Sequence, residues 1–194
     1  MLWCAEELGL TYEHINAGGT FGVVSDPDYL AMNPNGLVPC LKDGDLVLWE
    51  SNAIVAYLAM EYGAKTLYQN DSRVFSRSIQ WMAWTNEHLE PPLHTLVMEL
   101  VRLAEALRSP EAVEPARTEI ANWLKVLDKH LENQSYVCGD TFTPGDITTG
   151  ASVYRAHLFD ACPPCLSNIT KWQKKISKRN GFLRHVAPRE FHLG

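Results

Sequence analysis

The chain is 194 residues long, with 46% hydrophobic and 21% charged side chains, enough to bury the core of one large domain or two small ones. Its formal net charge is −6, and its basic residues are scattered apart from Lys171, Lys174, Lys175, Lys178 and Arg179, which fall at the spacing of a solvated helix face; this argues against a nucleic-acid partner. No stretch nears the roughly 20 apolar residues of a membrane span, no signal segment follows a basic start, and the five cysteines lack a disulfide-framework spacing, so no membrane partner and a cytoplasmic setting are expected.

Met1 to Leu8 reads as a helix built from the good formers Leu2, Ala5, Glu6, Glu7 and Leu8, with Gly9 where a C-terminal cap belongs. No Ser, Thr, Asp or Asn precedes it, so the chain is expected to open inside an element rather than before one. Tyr12 to Ala17 leans towards a strand, and Gly18-Gly19 with Phe21-Gly22 reads as a flexible loop. Asp26-Pro27 suits the first turn of a short helix.

Val38 to Lys42 and Leu46 to Trp49 are strand-like and flank Asp43-Gly44-Asp45, whose Asp-Gly step is a strong tight-turn signal. They predict a hairpin. Glu50-Ser51 then opens a helix in which Ile54, Val55, Leu58 and Tyr62 return on one face. The order up to Gly63 is therefore α/β, and the stretch from Tyr62 to Asp71 reads as a linker.

Beyond Asp71 only helices are predicted: Ser72 to Glu90, Leu93 to Leu107, Pro115 to Glu132, Pro144 to Phe159 and Leu166 to Arg179. In the third, Ala116, Ile120, Leu124, Leu127 and Leu131 form a core-facing stripe. The fourth carries the clearest start. Thr143 is an N-cap, Pro144 follows at the first helical position, Asp146 completes a capping-box pattern, and Phe142 and Ile147 are placed for a hydrophobic staple.

Two short segments carry chemistry. In Asn33-Pro34-Asn35-Gly36-Leu37-Val38-Pro39 a turn leads into a strand whose second residue is proline, which implies an edge, a bulge or a cis bond. A cis Val38-Pro39 bond would turn the Val38 backbone towards a ligand, as an extended peptide requires. Ser51 opens a helix, whose unpaired N–H groups and dipole favour an anion. Its hydroxyl can donate to a carboxylate while Glu50 accepts from an ammonium, so the pair can read an α-amino acid; Ser51 can equally serve only as a helix cap.

Asn33-Pro34-x-Gly36-x-Val38-Pro39 followed by Glu50-Ser51, Ala53-Ile54 and Tyr57-Leu58 resembles the thioredoxin-like domain of the glutathione transferases. Phe142-Thr143-x-x-Asp146-Ile147 resembles the capping box of that family's helical second domain. The resemblance covers nearly the whole chain. It implies a fold of α/β plus all-α type: an incomplete thioredoxin-like domain over residues 1–63 and an all-helical domain over 71–194.

It also implies glutathione as co-substrate, with the backbone of Val38 pairing with the cysteinyl part, Pro39 as the cis-proline, and Glu50 and Ser51 holding the γ-glutamyl end. The second partner would be a small hydrophobic electrophile and the assembly a homodimer. Two departures stand out. Leu37 replaces a polar residue found in several relatives, and the family's first strand and the thiol-activating residue after it are not recognised ahead of Met1, so the catalytic residue is unknown.

That second departure motivates an alternative, a non-catalytic binding module of the same fold. A glutathione-dependent thiol–disulfide reductase is a further alternative, with Cys4 or the Cys162-Pro163-Pro164-Cys165 motif as its thiol. Cys4 reads more simply as a small buried residue, and the motif as a helix-breaking turn. His88 and His94 lack partners at metal-ligand spacing, so no metal is expected. Trp81 and Trp84 read as core or interface residues on a helix that, in the family, lines the electrophile site.

Overall fold

The structure, a computed structural model, describes residues 1–187; the last residues of the expected 71–194 domain, 188–194, lie outside the described part. Helix α1 (Leu2–Glu7) comes first and ends where Gly9 takes a left-handed φ of 63°. A short helix, α2 (Pro27–Met32), carries proline in its first turn. Strands β1 (Cys40–Asp43) and β2 (Leu46–Trp49) then pair antiparallel, Cys40 opposite Trp49 and Asp43 opposite Leu46, around Gly44 at φ 57°.

Helix α3 (Ser51–Tyr62) packs behind the hairpin and buries Ile54, Val55, Leu58 and Ala59. Tyr62, predicted on that apolar face, is instead 43% exposed and donates its hydroxyl to Asp43 at 2.5 Å. Tyr57 donates to the same carboxylate oxygen at 2.8 Å, tying α3 to the hairpin turn.

The strand expected at Tyr12 to Ala17 does not form. Residues 11–16 are exposed and no described strand pairs with them, so their backbone groups face water. The first hairpin strand likewise begins at Cys40 rather than Val38.

The second half is a stack of helices. Helix α4 (Ser72–Trp84), capped by the Asp71 side chain, runs through a wide π-turn at Thr85–Leu89 into α5 (Glu90–Val97), and a second π-turn ends the rod at Met98–Arg102. Pro91-Pro92 sits in the first turn of α5, where the missing N–H groups do least harm. Leu103 then turns extended at φ −73°, ψ 140°, so the helix predicted to Leu107 stops short, and Glu105–Leu107 forms a separate 3-10 turn.

Helix α6 (Val113–His130) buries the predicted stripe, with Leu131 following it into the core; α7 (Pro144–Leu158) and α8 (Ser167–Ile176) follow, and α9 (Asn180–His185) was not expected from the sequence.

Asp146 explains why α7 starts where it does. Its carboxylate, with no exposed surface, accepts from the Thr143 N–H (2.9 Å) and hydroxyl (3.0 Å), from the Val137 N–H (2.9 Å) and from the Trp172 indole (2.9 Å). Burial pushes its pKa up, and these donors pull it back towards the ionised form. The capping box thus also fixes α8 and the loop before α7.

A single apolar core runs through both halves. Trp3 of α1 reaches into the helical stack, edge-on to Phe182 with ring centroids 5.2 Å apart and 5.8 Å from Phe142. A Cβ at Gly181 would lie 2.2 Å from Trp3 Cδ1, so only glycine lets α9 approach this closely. Gly150 of α7 faces the far edge of the same indole.

Candidate functional site

The residues singled out in the sequence meet at one end of the hairpin. With Cys40 opposite Trp49, the chain enters through Val38-Pro39 and leaves through Glu50-Ser51 side by side. The Val38-Pro39 bond is cis, and Val38 is 53% exposed and outside the ladder, so its backbone groups are not committed to a strand.

The preceding loop is held rigidly. The Leu37 carbonyl accepts from the Tyr29 hydroxyl (2.7 Å) and from the buried Asn33 side-chain amide (2.6 Å), while Asn33 Oδ1 caps the turn by accepting the Asn35 N–H at 3.1 Å. Burial raises the pKa of Tyr29, keeping its hydroxyl a donor. Gly36, at φ 62°, closes the turn where a Cβ would lie 3.3 Å from the Val24 carbonyl. The Asn33–Gly36 motif is therefore a scaffold for the two residues that follow it. Leu37, 65% exposed, contributes its carbonyl to that scaffold and its side chain to solvent.

Glu50 has a left-handed φ of 72°, a conformation that non-glycine residues adopt at a cost of order 1–3 kcal/mol, and its carbonyl accepts the Ile54 N–H at 3.0 Å. This reversal brings Ser51 to the first position of α3. Glu50 thus occupies the N-cap position without a side-chain cap hydrogen bond, and Ser51 is the first residue of the helix, its side chain exposed.

Ser51 opens onto a cleft of about 470 Å³ between α1, the start of α3, the rod from α4 to Arg102, and α7. Val38, Pro39 and Glu50 are not part of its wall. On the opposite side, the Glu90 carboxylate accepts from Ser152 Oγ (2.6 Å) and from Arg155 Nη2. Arg102 and Asn86 also line the cleft.

No local sequence signal marks this wall, because Glu90 lies 62 residues from Ser152 and the three polar groups converge only through helix packing. Asn52, beside Ser51, joins the halves by donating to the Met82 carbonyl at 3.2 Å.

The cysteines fare differently. Cys4 is fully buried, its thiol donates weakly towards the Val55 carbonyl at 3.9 Å, and burial pushes its pKa up to about 12. It is a packing residue. Cys162 is half-buried with its pKa pushed up to about 11, again by burial, and Cys165 is exposed in the turn before α8. Neither lines the cleft.

Trp81, Trp84, His88, Trp123 and His130 form an aromatic cluster across α4 and α6, His88 stacked on Trp123 at 4.0 Å. Among the described residues no group of three His, Cys, Asp or Glu side chains could hold a metal, and no helix is long and apolar enough to cross a membrane.

A thioredoxin-like first half with a two-stranded sheet, opening its hairpin end and α3 towards an all-helical second half, is the fold of a glutathione transferase. Residues 1–60 match the glutathione S-transferase N-terminal domain and residues 89–180 its C-terminal domain, and the chain belongs to that family.

It is 38% identical over 181 residues to glutathione S-transferase GstB of Escherichia coli (strain K12), covering 92% of this chain and 87% of that protein. It is 30% identical over 187 residues to glutathione S-transferase 3 of Zea mays, covering 93% and 84%. The theta class glutathione S-transferase of Xanthomonas axonopodis pv. citri, solved with glutathione bound, superposes with a TM-score of 0.88 at 38% identity, covering 95% of this chain and 89% of that one.

Proposed function

We propose that this protein binds glutathione at the hairpin end, with residues 1–63 forming the glutathione-holding domain and residues 71–194 the domain that walls the second substrate. The observation that carries the reading is the juxtaposition of an uncommitted Val38-Pro39 backbone with an exposed Ser51 at the first turn of α3. In this arrangement the Val38 backbone pairs with the cysteinyl unit. Ser51 and the N–H groups of α3 bind the γ-glutamyl carboxylate, and Glu50 accepts from its ammonium.

The reaction is conjugation to a small electrophile in the adjoining cleft. The glutathione sulfur forms a bond to the electrophilic carbon, a leaving group departs with its bonding pair or the electron pair moves onto an acceptor atom, and the thiol proton passes to solvent. Holding glutathione at the hairpin end beside an electrophile in the adjoining cleft supplies proximity. The protein works as a cytoplasmic homodimer in this reading.

Titration calorimetry with glutathione tests it. Wild type binds, and Ser51→Ala weakens binding about tenfold or more, as expected for loss of a hydrogen bond to a charged group. Equal binding by both proteins rejects the assignment of Ser51. A binding module without catalysis is the second reading, favoured by the burial of Cys4, which removes the one cysteine on α1 as a source of thiol chemistry. Turnover of a chromogenic electrophile well above the uncatalysed rate excludes it.

A further inference from the structure

The charges on the cleft wall do not cancel. Glu90 is paired with Arg155 and Ser152, and His185 lies 3.3 Å from Glu6. Arg102, exposed to solvent at the end of the rod that begins with α4, lines the same cleft, and its guanidinium has no hydrogen bond or ion pair to any described residue. In a chain of net charge −6, the one acidic side chain lining this cleft is already matched, which leaves Arg102 as the lining arginine open to an anion.

We propose that the electrophile admitted to this cleft carries a carboxylate, and that Arg102 binds it. The inference rests on the glutathione reading above and adds the chemical class of the second substrate. A planar guanidinium suits a carboxylate through two parallel N–H···O bonds, and such pairs are stronger and more directional than neutral ones.

Glutathione's own carboxylates are accounted for differently. In the proposed pose the γ-glutamyl end goes to Ser51, which lines the cleft, and the cysteinyl and glycyl units lie along Val38, which does not. Arg102 is therefore left for whatever is joined to sulfur. Glu90 helps by occupying Arg155: the anion is directed to one arginine rather than shared between two.

The test uses three ligands and needs no turnover: glutathione, S-carboxymethylglutathione and S-carbamoylmethylglutathione, the last two differing only in a carboxylate against a neutral amide. By calorimetry, wild type binds the carboxymethyl compound about tenfold more tightly than the carbamoylmethyl one, and Arg102→Gln removes that preference while leaving glutathione itself unchanged.

Equal binding of the two S-substituted ligands by wild type overturns the proposal. So does an Arg102→Gln protein that binds all three ligands more weakly by the same factor, since Arg102 would then serve glutathione's own carboxylate. If glutathione itself fails to bind wild type, the underlying glutathione reading has failed as well. A glutathione-binding protein without carboxylate preference refutes this inference alone.

Discussion

Arg179 grips Glu7 with two parallel hydrogen bonds, Nε to Oε1 at 2.9 Å and Nη2 to Oε2 at 2.6 Å, across 172 residues of sequence. The same guanidinium lies 3.9 Å over the Phe142 ring, and Glu7 Oε1 also accepts the Trp3 indole N–H at 2.8 Å. Although burial opposes it, the Glu7 carboxylate raises the pKa of Arg179. A double-mutant cycle of Glu7→Gln and Arg179→Met is expected to give a coupling of about 1 kcal/mol by urea unfolding, because the pair is only partly screened. Arg179→Lys should recover less than half of the loss, a point charge being unable to match both oxygens.

Asp146 is expected to be the most sensitive polar residue of the helical half. Asp146→Asn keeps the shape but turns an N–H pair towards the donors from Thr143, Val137 or Trp172. A loss of about 2–4 kcal/mol in equilibrium unfolding is the expected result, since buried donors are left unsatisfied. Near-wild-type stability would show that the four hydrogen bonds contribute little.

Thiol chemistry should be confined to the surface. At pH 7.5 roughly one part in 10⁴–10⁵ of Cys4 is thiolate, given a pKa pushed up to about 12. Brief iodoacetamide treatment followed by peptide mapping is expected to modify Cys165 first and to leave Cys4 unmodified until the protein is unfolded.

The Asp43 cluster sets a pH dependence. Hydrogen bonds from Tyr62 and then Tyr57 lower the Asp43 pKa below its ordinary 3.8, so the folded state favours the ionised form. A depressed carboxyl contributes stability that is present above the unfolded pKa and lost as pH falls through the folded one. The melting temperature of wild type should therefore exceed that of Asp43→Asn at neutral pH, and the gap should narrow below pH 3.8. A gap independent of pH would show that the tyrosines do not act through the carboxylate charge.

Local signals carried much of the fold. The Asp43-Gly44 step located the hairpin, Thr143-Pro144 with Asp146 located α7, and the apolar stripe of α6 was read residue by residue, because each depends on neighbours within a turn or two. Errors arose where distant groups decide. Tyr12 to Ala17 has strand-forming residues but no described partner, Tyr62 leaves the apolar face to reach Asp43, and the rod stops at Arg102 without proline or glycine to announce it. At the candidate site, the cis Val38-Pro39 bond and the place of Glu50-Ser51 at the hairpin end depend on a neighbouring turn and were legible; the left-handed Glu50 and the wall of Glu90, Arg102, Ser152 and Arg155 depend on packing and were not.

Trp3 belongs to the first half by sequence but fills a socket made by Gly150, Gly181, Phe142 and Phe182 of the second. A recombination that joined this first half to another protein's helices at the Tyr62–Asp71 linker would carry the indole away from Gly181, where a Cβ would lie 2.2 Å from it. The halves thus fit as a matched set, and a chimera at this boundary keeps its core only if the incoming helices bring the same hollow.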